Sequence, residues 1–162
     1  MKSVIVIPAR MESTRLPRKM LLAETGRTLI EHTYRAAQQS ELAADVLVAT
    51  DHPEIEQVVE SFGGRAILTD PHHVSGTERI AEVAAKLPDF DLFINVQGDE
   101  PEILGPDIDK VIGRLQTTSE AVVATLATPI REAHRLSDPA CVKVVMDDAG
   151  RAMYFSRSPI PM

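Results

Sequence analysis

Short apolar runs alternate along the chain with amphipathic stretches. The runs predict strands of a parallel sheet, because such strands are buried on both faces. The amphipathic stretches carry apolar residues three and four positions apart, which predicts helices packed on that sheet. The predicted strands are Ser3–Pro8, Asp45–Thr50, Arg65–Leu68, Asp91–Val96 and Glu120–Thr128. The predicted helices are Thr28–Gln38, Pro53–Phe62, Thr77–Leu87 and Pro106–Gln116.

The alternation of strands and helices predicts an α/β fold with one mainly parallel, helix-covered sheet. Near the C-terminus, Val142–Met146 and Arg151–Phe155 flank an Asp-Asp-Ala-Gly turn, which is typical of an antiparallel hairpin. No repeat, low-complexity tract or linker divides the sequence, so we expect a single domain over residues 1–162. The chain ends directly after a strand-like segment, and we expect either a fragment or an open tail there.

Composition narrows the classes of function. Hydrophobic residues make up 44% of the chain and aromatic residues 4%, so the core must be aliphatic. The net charge of −7 argues against nucleic acid or an anionic membrane as a partner. The single cysteine, Cys141, excludes an internal disulfide and fits a reducing compartment. Since no apolar run reaches the length of a membrane span or a signal-peptide core, we expect a soluble, cytoplasmic protein.

A basic loop follows the first predicted strand of this acidic chain. Arg10, Arg15, Arg18 and Lys19 lie within ten residues, and small residues among them allow close approach of the backbone to an anion. Arginine and lysine suit phosphate oxygens, and ligands of open α/β sheets bind at the carboxyl ends of strands. The loop therefore indicates an anion site, although it has neither a P-loop nor a dinucleotide-binding glycine motif. The alternative is a solvated basic loop.

A second polar segment, Gln97–Pro101, follows the strand predicted at Asp91–Val96. It places the carboxylate of Asp99 at the same edge of the sheet as the basic loop. Mg²⁺ prefers one or two carboxylates together with phosphate oxygens and water. Asp99 is therefore a candidate metal ligand, against the alternative that Asp99 and Glu100 only cap the loop.

A third segment, His72–Arg79, leads into a predicted helix that Ser75 or Thr77 can cap. The N–H groups of the first turn of such a helix favour an anion or a base carbonyl. His72 and His73 are adjacent but have no third metal-binding residue nearby. We therefore interpret them as ordinary polar residues.

Together the segments resemble the 3-deoxy-manno-octulosonate (Kdo) cytidylyltransferase family, the CMP-Kdo synthetases. The matching stretches are Ile7–Arg10, Ser13–Pro17 with Lys19, Ala49–Asp51, Ser75–Arg79, Asn95–Pro101 and Tyr154–Arg157. Six stretches in matching order are a specific signal. The resemblance covers essentially the whole chain but lacks the C-terminal third of the family, which implies a truncated chain.

The resemblance implies a Rossmann-like, GT-A-like nucleotidyltransferase fold and the reaction of CTP with Kdo to give CMP-Kdo and pyrophosphate for lipopolysaccharide biosynthesis. It also implies Mg²⁺ as the cofactor and a homodimer in the full-length family. Carried over to this chain, Arg10, Lys19 and Asp99 are catalytic, and Asp99 also holds the metal. Gln97 and Arg157 face the sugar. The implied nucleotide-binding residues are Pro8, Ala9, Arg10, Ser13, Arg15, Lys19, Ser75, Thr77 and Arg79.

Two positions depart from the family pattern: Arg18 stands where glycine is frequent, and Met20 where proline is frequent. Both lie in the basic loop and should alter its mobility more than its chemistry. Two other hypotheses stay open at this point: a nucleotidyltransferase for another acidic sugar, and a non-catalytic nucleotide-binding remnant. A remnant would be expected to have lost some of Arg10, Lys19, Asp99 and Arg157, and all are present.

Overall fold

The computed structural model describes residues 1–13 and 16–161. They fall into two compact units, Met1–Ala124 and the residues from Thr125 onward, where the sequence predicted one domain. The elements of the first unit are β1 Ser3–Ala9, α1 Leu29–Ala37, β2 Asp45–Thr50, α2 Pro53–Ser61, β3 Ala66–Leu68, α3 Gly76–Lys86, β4 Leu92–Asn95 and α4 Gly105–Thr117.

The first unit contains a four-stranded sheet in the order β3-β2-β1-β4, and all of its pairs are parallel. β1 is central, with Ile5 opposite Val46 on one side and Ile94 on the other. The chain therefore continues from β1 to one neighbour, β2, and reaches its other neighbour, β4, later. This reversal of strand order opens a crevice at the carboxyl ends of β1 and β4, where α/β sheets bind ligands.

Side chains of β1 alternate between two hydrophobic layers. Val4 and Val6 pack in the cluster that contains Val83 of α3. Ile5 and Ile7 pack in the other cluster, which receives residues from α1, α2 and α4. Because each of these β1 side chains is fully buried, each contributes about 1.5–3 kcal/mol of hydrophobic stabilisation. The predicted parallel sheet with helices on both faces is confirmed.

Local sequence signals mark the starts of three helices. The Oγ1 atom of Thr28 accepts a hydrogen bond from the backbone N–H of Glu31 at 3.3 Å and caps α1. Ser75 caps α3 in the same way, accepting from Glu78 N at 3.2 Å. Pro53 occupies the first turn of α2, where its missing N–H costs nothing.

The second unit contains the predicted antiparallel hairpin, formed by β5 Lys143–Met146 and β6 Ala152–Ser156. The carboxylate of Asp147 accepts hydrogen bonds from the backbone N–H groups of Ala149 and Arg151, at 3.0 and 2.8 Å. Gly150 has a φ of 76°, a left-handed conformation that suits glycine. A short helix, α5 Ala133–Ser137, precedes the hairpin and was not predicted.

The strand predicted at Glu120–Thr128 is wrong, because none of these residues lies in a strand. Val122 and Val123 are 92% and 79% exposed. Their β-branched side chains favour extended backbone, but a strand also needs a neighbouring strand to accept and donate its ladder hydrogen bonds. The segment pairs with no strand among the described residues.

Among its described residues, the basic loop after β1 contains one regular element, a 3-10 turn at Lys19–Leu21. Among residues 1–13 and 16–161, no helix combines the length and the apolar composition that a membrane span requires.

Candidate functional site

The loops that follow β1 and β4 border an open cleft of about 540 Å³. This volume lies within the range of about 300–1,000 Å³ that is typical of small-molecule sites. The cleft is lined by Pro8, Arg10, Glu12, Ser13, Leu16, Lys19, Met20, Gln97, Gly98 and Asp99. The structure thus brings Arg10, Ser13 and Lys19 from one loop together with Gln97 and Asp99 from the other.

An ion pair joins the two loops across this cleft. The Nζ atom of Lys19 lies 2.6 Å from Oδ2 of Asp99, and the two side chains are 32% and 47% exposed. Hydrogen bonding to the Lys19 ammonium lowers the pKa of Asp99 from its ordinary value. Asp99 is therefore a carboxylate at neutral pH. The residue expected to bind phosphate, Lys19, and the residue expected to bind the metal, Asp99, are thus bonded to each other.

Close packing behind the cleft fixes the loop that carries Asp99. A Cβ added at Gly98 would lie 3.2 Å from the carbonyl oxygen of Pro8 and 2.8 Å from the sulfur of Met20, so only glycine fits here without displacement. Thr33 of α1 donates a hydrogen bond from Oγ1 to the carbonyl oxygen of Gly98 at 2.8 Å. The β1 and β4 loops therefore meet at backbone contact distance.

Arg18 does not extend the row of cations in the cleft. Its backbone is left-handed, with a φ of 56°, and its guanidinium forms an ion pair with Glu54 in the first turn of α2. Arg18 is not part of the lining of the cleft. Of the basic loop's cations that the structure describes, Arg10 and Lys19 line the cleft and Arg18 turns to α2.

A smaller pocket of about 70 Å³ adjoins the cleft and shares Pro8, Arg10 and Gln97 with it. Its other lining residues are Ala9, His73, Ser75, Gly76 and Arg79. A Cβ added at Gly76 would lie 3.3 Å from Cγ of Pro8, so the start of α3 packs tightly against the end of β1. The nucleotide-binding stretches implied at Pro8–Arg10 and Ser75–Arg79 are adjacent in space.

The guanidinium of Arg79 is bonded to other residues of the protein. Its side chain is only 4% exposed, and NH2 donates to Oδ2 of Asp51 at 3.1 Å. NH1 donates to Oγ1 of Thr69 and, at 3.4 Å, to the carbonyl oxygen of Asp70. Thr77 is exposed on the first turn of α3 and is not part of the lining of either cavity.

His73 lines the smaller pocket, although its sequence context gave it no role. Its Nε2 atom lies 2.6 Å from Oε2 of Glu82. Lys86, the backbone N–H of Asp70 and His73 together lower the pKa of Glu82 to about 2. Glu82 is thus a fixed anion that orients the imidazole.

The residues of the cleft fit the proposed magnesium ion. Asp99 supplies one carboxylate beside two cations that suit phosphate, and Mg²⁺ commonly binds through one or two carboxylates plus phosphate oxygens. No group of three or more His, Cys, Asp and Glu residues is placed to hold a metal ion within the described ranges 1–13 and 16–161. The described residues therefore do not offer a metal site made of protein ligands alone.

The structure does not test two of the implied site residues against this cleft. Arg15 lies outside the described residues. Arg157 follows β6 in the second unit, where its NH1 donates to the carbonyl oxygen of Pro139 at 2.7 Å. The sequence analysis assigned no site role to Asp51, which pairs with Arg79, or to four residues that line the cleft, namely Glu12, Leu16, Met20 and Gly98.

A family model described as cytidylyltransferase matches residues 4–162. The chain belongs to this cytidylyltransferase family. Its relatives include the 3-deoxy-manno-octulosonate cytidylyltransferases of Rhodopirellula baltica and Escherichia coli, which are 49% and 47% identical over 99% of this chain. The chain spans 64% of the length of each of these curated relatives. The resemblance found in the sequence is confirmed.

Two solved structures agree with this fold. One described as CMP:2-keto-3-deoxy-manno-octonic acid synthetase complexed with CTP is 46% identical, with a TM-score of 0.96, and the match covers 100% of this chain and 66% of that chain. A cytidylyltransferase from Leptospira borgpetersenii is 24% identical, with a TM-score of 0.65 over 74% of this chain and 51% of its own, and shares the fold alone.

Proposed function

We propose that this chain is the nucleotide-binding part of an enzyme that joins CTP and Kdo into CMP-Kdo and pyrophosphate, for lipopolysaccharide biosynthesis. The observation that carries the proposal is the cleft at the ends of β1 and β4, where Lys19 and Asp99 lie 2.6 Å apart. The names of the relatives and the CTP in a similar solved structure support the choice of nucleotide and acceptor.

Arg10 and Lys19 bind the CTP phosphates in this proposal, with Ser13 and Arg15 in support. A guanidinium offers planar, paired donors and an ammonium offers a point charge, and both match phosphate oxygens. The smaller pocket, between Pro8–Arg10 and Ser75–Arg79, encloses the nucleoside end. Arg79 helps to shape that pocket, since its guanidinium is bonded to Asp51 and Thr69.

In this proposal Asp99 would hold Mg²⁺ together with phosphate oxygens. When bound, the ion neutralises charge on the triphosphate and on the leaving pyrophosphate. Before CTP arrives, the Lys19 ammonium occupies Oδ2 of Asp99. The triphosphate can attract Lys19 away from that oxygen, which would leave Asp99 free to hold the ion.

The anomeric hydroxyl of Kdo attacks the α-phosphorus of CTP in line. A new oxygen–phosphorus bond forms, the bond between the α-phosphorus and its bridging oxygen breaks, pyrophosphate leaves and the hydroxyl proton is released. The protein contributes orientation and charge neutralisation rather than a covalent intermediate. Gln97 faces the sugar from the cleft, and Arg157 pairs with the sugar carboxylate.

We also infer that the full-length protein is a cytoplasmic homodimer. The resemblance to the family is the basis for the dimer, and the single cysteine and the use of CTP fit a reducing cytoplasm. Light scattering of the full-length protein at several concentrations tests the dimer, and a monomer throughout that range would contradict it.

One assay tests the reaction directly: pyrophosphate release from CTP with Kdo and Mg²⁺. It should be run on this chain and on a longer natural form that contains it, beside reactions with other acidic sugars. Release that depends on Kdo supports the proposal. Release only with another acidic sugar changes the acceptor. If both forms bind CTP but neither releases pyrophosphate with any acceptor, the protein is a non-catalytic nucleotide-binding protein.

A further inference from the structure

One carboxylate behind the site connects the two walls of the smaller pocket. Asp51 directly follows β2, and its side chain is 15% exposed. Its Oδ1 accepts a hydrogen bond from the backbone N–H of Met11 at 3.1 Å. Its Oδ2 accepts from NH2 of Arg79 at 3.1 Å. Since Met11 follows Arg10 in the basic loop and Arg79 lies near the start of α3, Asp51 links the loop to that helix.

The Arg79 end of this link is held firmly. NH1 of Arg79 donates to Oγ1 of Thr69, and Thr69 in turn donates from Oγ1 to the carbonyl oxygen of Thr50 at 3.0 Å. Asp51 is the carboxylate paired with this buried guanidinium. Removing one partner of a buried ion pair leaves an uncompensated charge, so the arrangement depends on the charge of Asp51.

The other end of the link acts on backbone, not on a side chain. The Met11 N–H is held one residue beyond Arg10, which lines both the cleft and the smaller pocket. The tight contact between Gly76 and Pro8 leaves little room for the walls to shift without changing the pocket. Asp51 itself is not part of the lining of the cleft or of the smaller pocket.

We propose that Asp51 is a positioning residue for CTP: it sets the loop that carries Arg10 against the start of α3. The inference rests on the proposed function and adds a residue that touches no ligand. If Arg10 is displaced, it loses its contacts to phosphate even though its charge is unchanged, because binding and reaction depend on placement within fractions of an ångström. Loss of Asp51 should therefore weaken CTP binding without removing any group that contacts CTP.

The chain offers a matched control for this role. Asp45 begins the same strand that Asp51 follows, and its carboxylate forms an ion pair with Arg65. Asp45→Asn therefore removes a carboxylate–guanidinium pair at the opposite end of β2, away from both cavities. Because the Asp45–Arg65 pair is more exposed than the Asp51–Arg79 pair, Asp45→Asn should destabilise the fold less. Urea unfolding of both variants therefore accompanies the binding assay, and a loss of positioning should weaken CTP binding only in folded Asp51→Asn.

The experiment measures CTP affinity by isothermal titration calorimetry on the full-length protein without a sugar acceptor. Asp51→Asn should weaken binding at least about tenfold, and Asp45→Asn should stay within about twofold of the parent. Hydrogen exchange of a peptide containing Met11 should become faster only in Asp51→Asn. In turnover assays, KM for CTP should rise while KM for the sugar stays unchanged.

Equal CTP affinity of Asp51→Asn and its parent, or equal losses in both variants, would overturn the proposal. Arg79→Lys serves as a second variant, since one ammonium cannot replace the paired contacts to Asp51 and Thr69. If Asp51→Asn does not fold, unchanged CTP affinity of Arg79→Lys overturns the proposal. If the parent does not bind CTP, the proposed function is refuted. If the parent binds CTP and the variants bind it equally well, only the role of Asp51 is refuted.

Discussion

Replacing Lys19 with methionine perturbs both partners of the ion pair that crosses the cleft. Methionine keeps a long, unbranched apolar side chain but removes the ammonium. The proposed phosphate contact disappears, so CTP binding should weaken. At the same time Oδ2 of Asp99 loses the cation that lies 2.6 Å away, so Mg²⁺ should bind more readily in the absence of nucleotide.

The structure sets the size of each effect. Because Lys19 and Asp99 are substantially exposed, their pair belongs with surface ion pairs, which contribute about 0.2–1 kcal/mol. The gain in Mg²⁺ affinity without CTP should therefore reach at most about fivefold. A charge-assisted hydrogen bond to phosphate contributes about 1.5–3 kcal/mol, so CTP affinity should fall about 10- to 150-fold.

Two separate calorimetric titrations of the full-length protein, one with CTP and one with Mg²⁺ alone, measure these changes. Lys110→Met is the matched control, since Lys110 forms a comparable 2.7 Å pair with Asp107 on the exposed side of α4. Both of its affinities should stay within about twofold of the parent values. CTP affinity unchanged in Lys19→Met would show that the loop does not bind the triphosphate. Weaker Mg²⁺ binding in that variant would refute competition between Lys19 and the metal for Asp99.

Three further predictions concern the same cleft. Asp99→Asn should lower the rate of pyrophosphate release and its dependence on Mg²⁺, and an unchanged rate would remove Asp99 from the metal site. NMR titration should find the pKa of Asp99 below its ordinary value of 3.8 in the parent and closer to that value in Lys19→Met. Because the folded-state pKa of Asp99 is lowered, the ion pair stabilises the fold at pH values above the ordinary pKa, and this stabilisation is lost as the pH falls through the folded-state pKa. A raised pKa of Asp99 in the parent would refute the pairing. Gly98→Ala should destabilise the protein by about 1–3 kcal/mol through its contact with the Pro8 carbonyl, whereas Gly113→Ala, with open space in α4, should stabilise it by up to about 1 kcal/mol. Urea unfolding measures both changes, and equal signs would contradict this account of Gly98.

The sequence predicts the parallel sheet well because the relevant signals are local. Apolar runs such as Asp45–Thr50 specify buried strands, and caps such as Thr28 and Ser75 specify where helices begin. The strand expected at Glu120–Thr128 fails for the complementary reason: its local composition favours a strand, but pairing depends on a partner distant in the chain.

The sequence predicts the part of the candidate site that lies at the carboxyl ends of the parallel strands. Position after β1 and β4 brings the basic loop and Asp99 together, since parallel strands end at one edge. The contact between Asp51 and Arg79 spans 28 positions and joins two polar residues whose sequence context indicates exposure or ligand binding. Only the folded arrangement reveals that this arginine is buried and paired.

Burial separates cations that sequence reasoning treats alike. Lys19, Arg18 and Arg79 each form an ion pair with a carboxylate from another part of the chain. Breaking a buried pair by removing one partner costs about 3–5 kcal/mol, whereas an exposed pair is worth about 0.2–1 kcal/mol. A triphosphate can therefore draw Lys19 from Asp99 at small cost but cannot readily draw the buried Arg79 from Asp51. Arg18 is exposed enough to exchange partners, but its pair directs it towards α2. Of these three cations, Lys19 is thus best placed to exchange its carboxylate for the proposed triphosphate, whereas Arg79 is held in the wall of the smaller pocket.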